Sequence, residues 1–208
     1  TTPIMVSLAH HVKHLGIPKA YFEELIKGVE MDLFNNRYIT FDELSLYCYR
    51  VASVVGLICL HIFGVTSARA QDYAVALGMA FQLTNILRDV GTDAAQRRIY
   101  LPLDDLQKWN YPEKALLNRS YSAEFRALME YEASRAHHYY KRADAALKEL
   151  PAHERRALTV AEIMRGIYSR ILERIERSNY QVFGPRISLT TTQRVVIALR
   201  VWLRSRFS

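Results

Sequence analysis

Residues 82–93 read Gln82-Leu-Thr-Asn-Ile-Leu-Arg-Asp-Val-Gly-Thr-Asp93. Leu83, Leu87 and Val90 recur at three- and four-residue spacing, the period of one helix face. Asn85, Asp89 and Asp93 fall at i, i+4 and i+8. On a helix they stack along one side, and Gln82 lies on that side too. Two carboxylates at i,i+4 repel by a few tenths of a kcal/mol. On a helix otherwise as apolar as this one (Ala80, Phe81, Leu83, Ile86, Leu87), the pairing points to a shared cation. An all-oxygen set of this type suits Mg²⁺, which takes one or two carboxylates and keeps waters and substrate phosphates. A polar stripe on an amphipathic helix is the plain alternative, and spacing alone favours it.

The flanks shift that balance. Arg88 lies beside Asp89, and Arg97 and Arg98 precede Ile99-Tyr-Leu-Pro102. Carboxylates that hold Mg²⁺ close to several guanidinium groups describe a diphosphate site, because arginine forks match phosphate oxygens. An arginine pair at a helix exit also complements the helix dipole.

Working outward, helix follows helix. Pro3 opens a first one that stops at Gly16. Pro18 opens a second, with Phe22, Leu25, Ile26 and Val29 at helical spacing. Thr40 and Glu43 form a capping box for a third, which runs to Gly64. Ser67 caps a helix running towards Val90. Pro102 opens a short helix and Ser122 a long one ending before Pro151. Another covers about 152–178, residues 179–188 form a loop, and a last helix runs from about Thr191 to Phe207. No segment sustains period-two alternation. The expected fold is all-α, one bundle-like domain over residues 1–208.

Composition supports this. The chain has 208 residues, half of them hydrophobic, with eight glycines and six prolines. That is too few turn formers for a β-rich protein, and no Gly-rich phosphate loop is present. Cys48 and Cys59 lie on one predicted helix roughly 16 Å apart, too far for a disulfide, and read as buried thiols of a reducing compartment. The apolar run from Val51 to Phe63 falls short of the roughly 18–20 residues of a membrane span. The formal charge of +7 comes without a basic stripe interleaved with aromatics, so a nucleic-acid partner is not expected.

Residues 85–93, followed by Arg98-Ile-Tyr-Leu-Pro102, resemble the second aspartate-rich motif of the squalene/phytoene synthases. Tyr47-Cys-Tyr-Arg-Val-Ala-Ser-Val-Val-Gly56 resembles a further signature of that family. Gly28-Val-Glu-Met-Asp-Leu33, Tyr168-Ser-Arg-Ile-Leu172 and Arg186-Ile-Ser-Leu189 match other family stretches, so the likeness runs through nearly the whole chain. It implies an isoprenoid-synthase-type helical bundle with a central prenyl cavity, and Mg²⁺-dependent head-to-head joining of two prenyl diphosphates. It also implies roles. Asn85, Asp89 and Asp93 would bind metal, and Tyr47, with Asp89 and Asp93, would be catalytic. Gln82, Arg88, Arg98, Tyr100, Tyr168 and Arg186 would contact substrate, and Phe81 would face the prenyl cation. Ala52, Ser53 and Gly56 would leave room for a prenyl chain. The spelling of the Tyr47 segment resembles bacterial presqualene diphosphate synthases of hopanoid pathways, acting on farnesyl diphosphate. Phytoene synthesis from geranylgeranyl diphosphate is the alternative, and a non-catalytic assembly or binding factor is the alternative of another class.

Two departures from the family pattern stand out. Thr92 replaces an acid before the second motif aspartate, and the family's first aspartate-rich motif is absent. The expectation is a chain lacking its N-terminal helices, with the apolar surface they would cover exposed. His10 and His14 make an i,i+4 pair without a carboxylate or thiol to complete a metal site, and read, like His137-His138, as a solvated face. Residues 193–208 carry Arg194, Arg200, Arg204 and Arg206, no acid, and an apolar side. That fits either an interfacial helix on anionic lipid or a bundle helix with exposed arginines. The expected location is the cytoplasm, with peripheral contact at the inner membrane through this helix.

Overall fold

The computed structural model describes residues 2–207, and every regular element among them is helical. In order these are α1 (Pro3–His14), α2 (Lys19–Phe34), α3 (Phe41–Cys48), α4 (Val54–Phe63), α5 (Ala68–Ala95), α6 (Leu103–Lys108), α7 (Glu113–Leu117), α8 (Ala123–Lys148), α9 (Ala152–Ala157), α10 (Thr159–Arg177) and α11 (Thr191–Phe207). A π-helical turn, Tyr49–Ser53, joins α3 to α4. The all-α expectation holds.

α5 is the axis. Its buried Ala70, Ala74, Ala76, Gly78 and Ala80 are small enough for neighbours to approach from several sides. α8, α10, α4 and the π turn all pack on it. Gly78 marks where the π turn presses closest, since a Cβ there would come within 2.5 Å of Ser53 Cα. Gly56 serves the same end, because its Cβ would meet Ala74 O at 3.0 Å. Ser53 is fully buried and its hydroxyl donates to Val75 O at 2.9 Å. Ser53 and Gly56 are thus small because α5 presses on them, not because they leave room for a ligand.

The expected caps form. Thr40 Oγ1 accepts from the Glu43 amide at 3.3 Å, while the Glu43 carboxylate accepts from the Ile39 amide at 2.7 Å. Ser67 and Ser122 cap α5 and α8. Gly64 ends α4 in the left-handed region, at φ 71°.

Several expectations need correcting. The segment expected as one helix over 152–178 breaks at Leu158, which is fully buried and sits between α9 and α10; turning the chain there lets the side chain reach the core. α7 follows Pro112 where no helix was expected. α5 extends past Val90 to Ala95. Ile26 and Val29 are 58% and 56% exposed, because α2 instead turns Gly28 onto Arg50 and Val51. Ile4, Val6, Leu33 and Phe34 are exposed as well. Cys59 is half-buried, while Cys48 is buried, and both thiols are free. Phe41–Phe63 is continuously helical for 23 residues, long and apolar enough by length and composition to cross a membrane. Leu44, Cys48, Val54, Leu57 and Leu60 of this stretch are buried in the bundle, while Leu46, Val55 and Ile62 are exposed.

Candidate active site

α5 turns Gln82, Asn85, Asp89 and Asp93 into a cavity of about 230 Å³, which Tyr47, Arg88 and Tyr100 also line. The i, i+4, i+8 spacing therefore does bring these side chains to one place. Asn85 Nδ2 donates to Gln82 Oε1 at 3.4 Å, and the buried Asn85 Oδ1 accepts from nothing.

Asp89 is held from two sides. Arg88 Nε donates to Oδ1 at 2.9 Å, and Arg186 Nε and Nη2 donate to Oδ1 and Oδ2 at 2.8 and 2.9 Å. Burial opposes ionisation here, but the hydrogen bonds from Arg88 and Arg186 outweigh it and hold the carboxyl at about 2. Asp93 behaves oppositely. Burial, and then the charge of Asp89, push its carboxyl up to about 6, against the pull of Arg98.

Arg186 reaches Asp89 because the 178–190 loop crosses α5 at Gly91. A Cβ there would lie 2.5 Å from Val182 O, so only glycine admits the crossing. Gly91→Ala is expected to cost about 1–3 kcal/mol in a thermal melt and to weaken inorganic diphosphate binding in calorimetry. An unchanged melt would show that the loop does not press on this position.

Asp32, at the end of α2, is the site residue the sequence did not single out. Tyr47 OH donates to its Oδ2 at 3.0 Å and Tyr100 OH to its Oδ1 at 2.8 Å, while Arg98 Nη2 donates to its backbone carbonyl at 3.2 Å. The rings of Tyr38, Tyr47 and Tyr100 pack with centroids 5.4–5.9 Å apart. Burial, then the charges of Tyr100 and Asp32, raise the Tyr47 phenol far above its ordinary range, so it stays protonated. The only sequence signal for Asp32 was its place in the Gly28–Leu33 stretch, where no spacing links it to Tyr47 or Tyr100.

The other candidates scatter. Phe81 and Tyr168 stack on each other at 4.5 Å, outside the residues lining this cavity. Ala52 sits on the π turn, its carbonyl carbon 2.8 Å from where a Gly78 Cβ would fall. Thr92 is exposed; seven residues after Asn85 and three after Asp89, it lies on their face of α5, so an acid there would stand at the rim of the cavity. His10, His11 and His14 are exposed as expected, whereas His137 Nε2 bonds Glu176 at 2.6 Å.

No group of three His, Cys, Asp or Glu side chains converges for a metal among the described residues. The oxygen set on α5 nevertheless fits a hard divalent cation. Asn85 Oδ1 is a buried acceptor without a donor, and the Asp93 carboxylate suffers like-charge repulsion that a cation would relieve. Asp89 is engaged by arginines but keeps spare lone pairs.

The sequence profile of the squalene/phytoene synthase family matches residues 1–193. The chain is 41% identical over 197 residues to a 15-cis-phytoene synthase of Synechocystis sp., covering 89% of this chain and 58% of the relative. It is 39% identical over 217 residues to a phytoene synthase of Arthrospira platensis, covering 98% and 69%. The chain thus spans less than two thirds of the Synechocystis relative's length. Its fold is similar to squalene synthase HpnC from Alicyclobacillus acidocaldarius, with TM-score 0.77 at 27% identity over 86% of this chain and 67% of that one. A dehydrosqualene synthase solved with a ligand superposes with TM-score 0.78 at 27% identity, over 91% and 66%. With a profile match over nearly the whole described length, the chain belongs to the squalene/phytoene synthase family.

Proposed function

We propose that the protein joins two geranylgeranyl diphosphates head to head, the phytoene synthase reaction. The observation that carries the prenyl transfer is one cavity flanked by Asn85, Asp89 and Asp93 on α5 and by Tyr47 and Tyr100 on Asp32. The choice of the C20 substrate rests on the phytoene synthases at 41% and 39% identity. Those relatives outweigh the spelling of residues 47–56, which on sequence alone favoured farnesyl diphosphate and a presqualene product.

In this reading Asn85, Asp89 and Asp93 hold Mg²⁺, which supplies positive charge to the departing diphosphate. Arg88, Arg98 and Arg186 bind diphosphate oxygens through guanidinium forks, with Tyr100, Tyr168 and Gln82 beside them. Arg186 leaves Asp89 to do so, a move its 60% exposed side chain permits. Phe81 and Ala52 are assigned to the side that would take the prenyl chains, where exclusion of water would keep an allylic cation from being quenched. Tyr47 faces the reacting carbons. When the cyclopropane closes, a carbon-bound proton passes to the Tyr47 oxygen while its phenol proton moves to Asp32 Oδ2. No charged tyrosinate is needed, in keeping with the raised phenol.

A product assay tests this. The protein, expressed from its complete reading frame, is given farnesyl and geranylgeranyl diphosphate together with Mg²⁺ and no reductant. A C40 product is expected. A C30 cyclopropyl diphosphate would overturn the substrate assignment, and no product would favour the non-catalytic alternative.

A further inference from the structure

α11 has two apolar faces where a surface helix ordinarily has one. The inner face packs on α10, with Ile197 against the core and Val201 lining the groove between the helices. On the outer face Val195, Leu199, Trp202 and Leu203 are 50, 53, 45 and 49% exposed. At 100° per residue these four fall within one third of the helix circumference. They form a continuous stripe, not scattered exposed residues.

The charge around this stripe has one sign. Residues 191–208 hold Arg194, Arg200, Arg204 and Arg206 and no acid. Arg206 lies over the Trp202 ring at 5.0 Å. On the inner side of α11, away from the stripe, Arg155 and Arg156 line a groove with Arg204. Glu162, the acid that lines this groove, is bridged to Arg165 at 2.6 Å, so the excess there is positive too.

This combination discriminates among occupants. A second copy meeting this face about a two-fold axis would set the arginines against themselves. An anionic bilayer satisfies both features at once. The stripe enters the headgroup–acyl boundary, arginines meet lipid phosphates, and tryptophan takes its favoured interfacial depth. We infer that the outer face of α11 docks the protein on an anionic lipid surface. The inference is independent of the chemistry assigned to the cavity.

The test is co-sedimentation with phosphatidylcholine vesicles, with and without phosphatidylglycerol, without Mg²⁺ or diphosphate. Binding is expected only to the anionic vesicles and is expected to weaken with salt. Arg200→Gln/Arg206→Gln should lower the partition coefficient roughly 30-fold, from the known attraction of two arginines to such a surface. Leu199→Ser/Trp202→Ser should lower it roughly tenfold or more. Quenching of tryptophan emission by brominated phosphatidylglycerol reads the unaltered protein and needs no variant. Absent or equal binding to the two vesicles, or undiminished binding by both variants, overturns the inference. Self-association that the same substitutions abolish also overturns it, by assigning the face to a second copy.

Discussion

Asp89→Asn is expected to lower turnover roughly 10²–10³-fold while leaving the fold intact. Asparagine preserves the shape of the side chain and removes its charge. The cation loses a carboxylate, and loss of preorganised electrostatic stabilisation is typically worth a factor of about 10²–10³. Arg88 and Arg186 each lose a charged acceptor as well, since they now share one amide oxygen in place of two carboxylate oxygens. The helix survives because α5 is held by its apolar faces. Circular dichroism and product formation on one preparation check both halves. Asp72→Asn, at an exposed carboxylate paired with Arg69, is the control and should leave turnover unchanged. Activity retained in Asp89→Asn would sink the metal assignment.

Arg135→Ala is expected to destabilise the protein by about 3–5 kcal/mol, the usual cost of removing one partner from a buried ionic cluster. Arg135 donates to Asp105 at 2.5 Å and to Glu132 at 2.7 Å, and lies over the rings of Phe41 and Tyr131 at 4.2 and 4.6 Å. Glu132 is 2% exposed and Asp105 6%, so alanine leaves two carboxyl groups out of water with no cation between them. Chemical denaturation measures this directly, and a loss under 1 kcal/mol would contradict it. The cluster also sets a pH dependence. Burial pushes the Glu132 carboxyl up to about 8, against Arg135, from an ordinary value of 4.5. The folded state therefore keeps a proton that the unfolded chain releases, and stability falls as pH rises through that window. Glu132→Gln should flatten the slope.

The helical architecture could be read in advance because its signals are local. Ser67, Thr40 and Ser122 cap where an oxygen precedes an apolar run, and Gly64 ends a helix where a left-handed residue is needed. The α5 motif was equally legible, since a helix converts i, i+4 spacing into proximity. What stayed hidden depends on tertiary contact. Asp32 meets Tyr47 and Tyr100 only because α2 is laid against the π turn, and the carboxylate is separated from Tyr100 by 68 residues. Arg186 was known as a matching residue, but its grip on Asp89 depends on a loop crossing at Gly91. The break at Leu158 escaped because both sides of it are good helix. Ser53 and Gly56 were read as leaving space, when they are where α5 presses against the π turn and α4.

The grip of Arg88 and Arg186 on Asp89 has a consequence for how ligands arrive. Arg88, Arg98 and Arg186 stand against Asp32, Asp89 and Asp93, so the side chains of the pocket come close to balancing one another in charge. An anion that takes Arg186 away unmasks Asp89, and a cation bound at Asp89 liberates Arg186. Each ligand prepares the other's seat, and by thermodynamic reciprocity each must raise the other's affinity by the same factor. Such a pocket would favour the two ions together over either one alone.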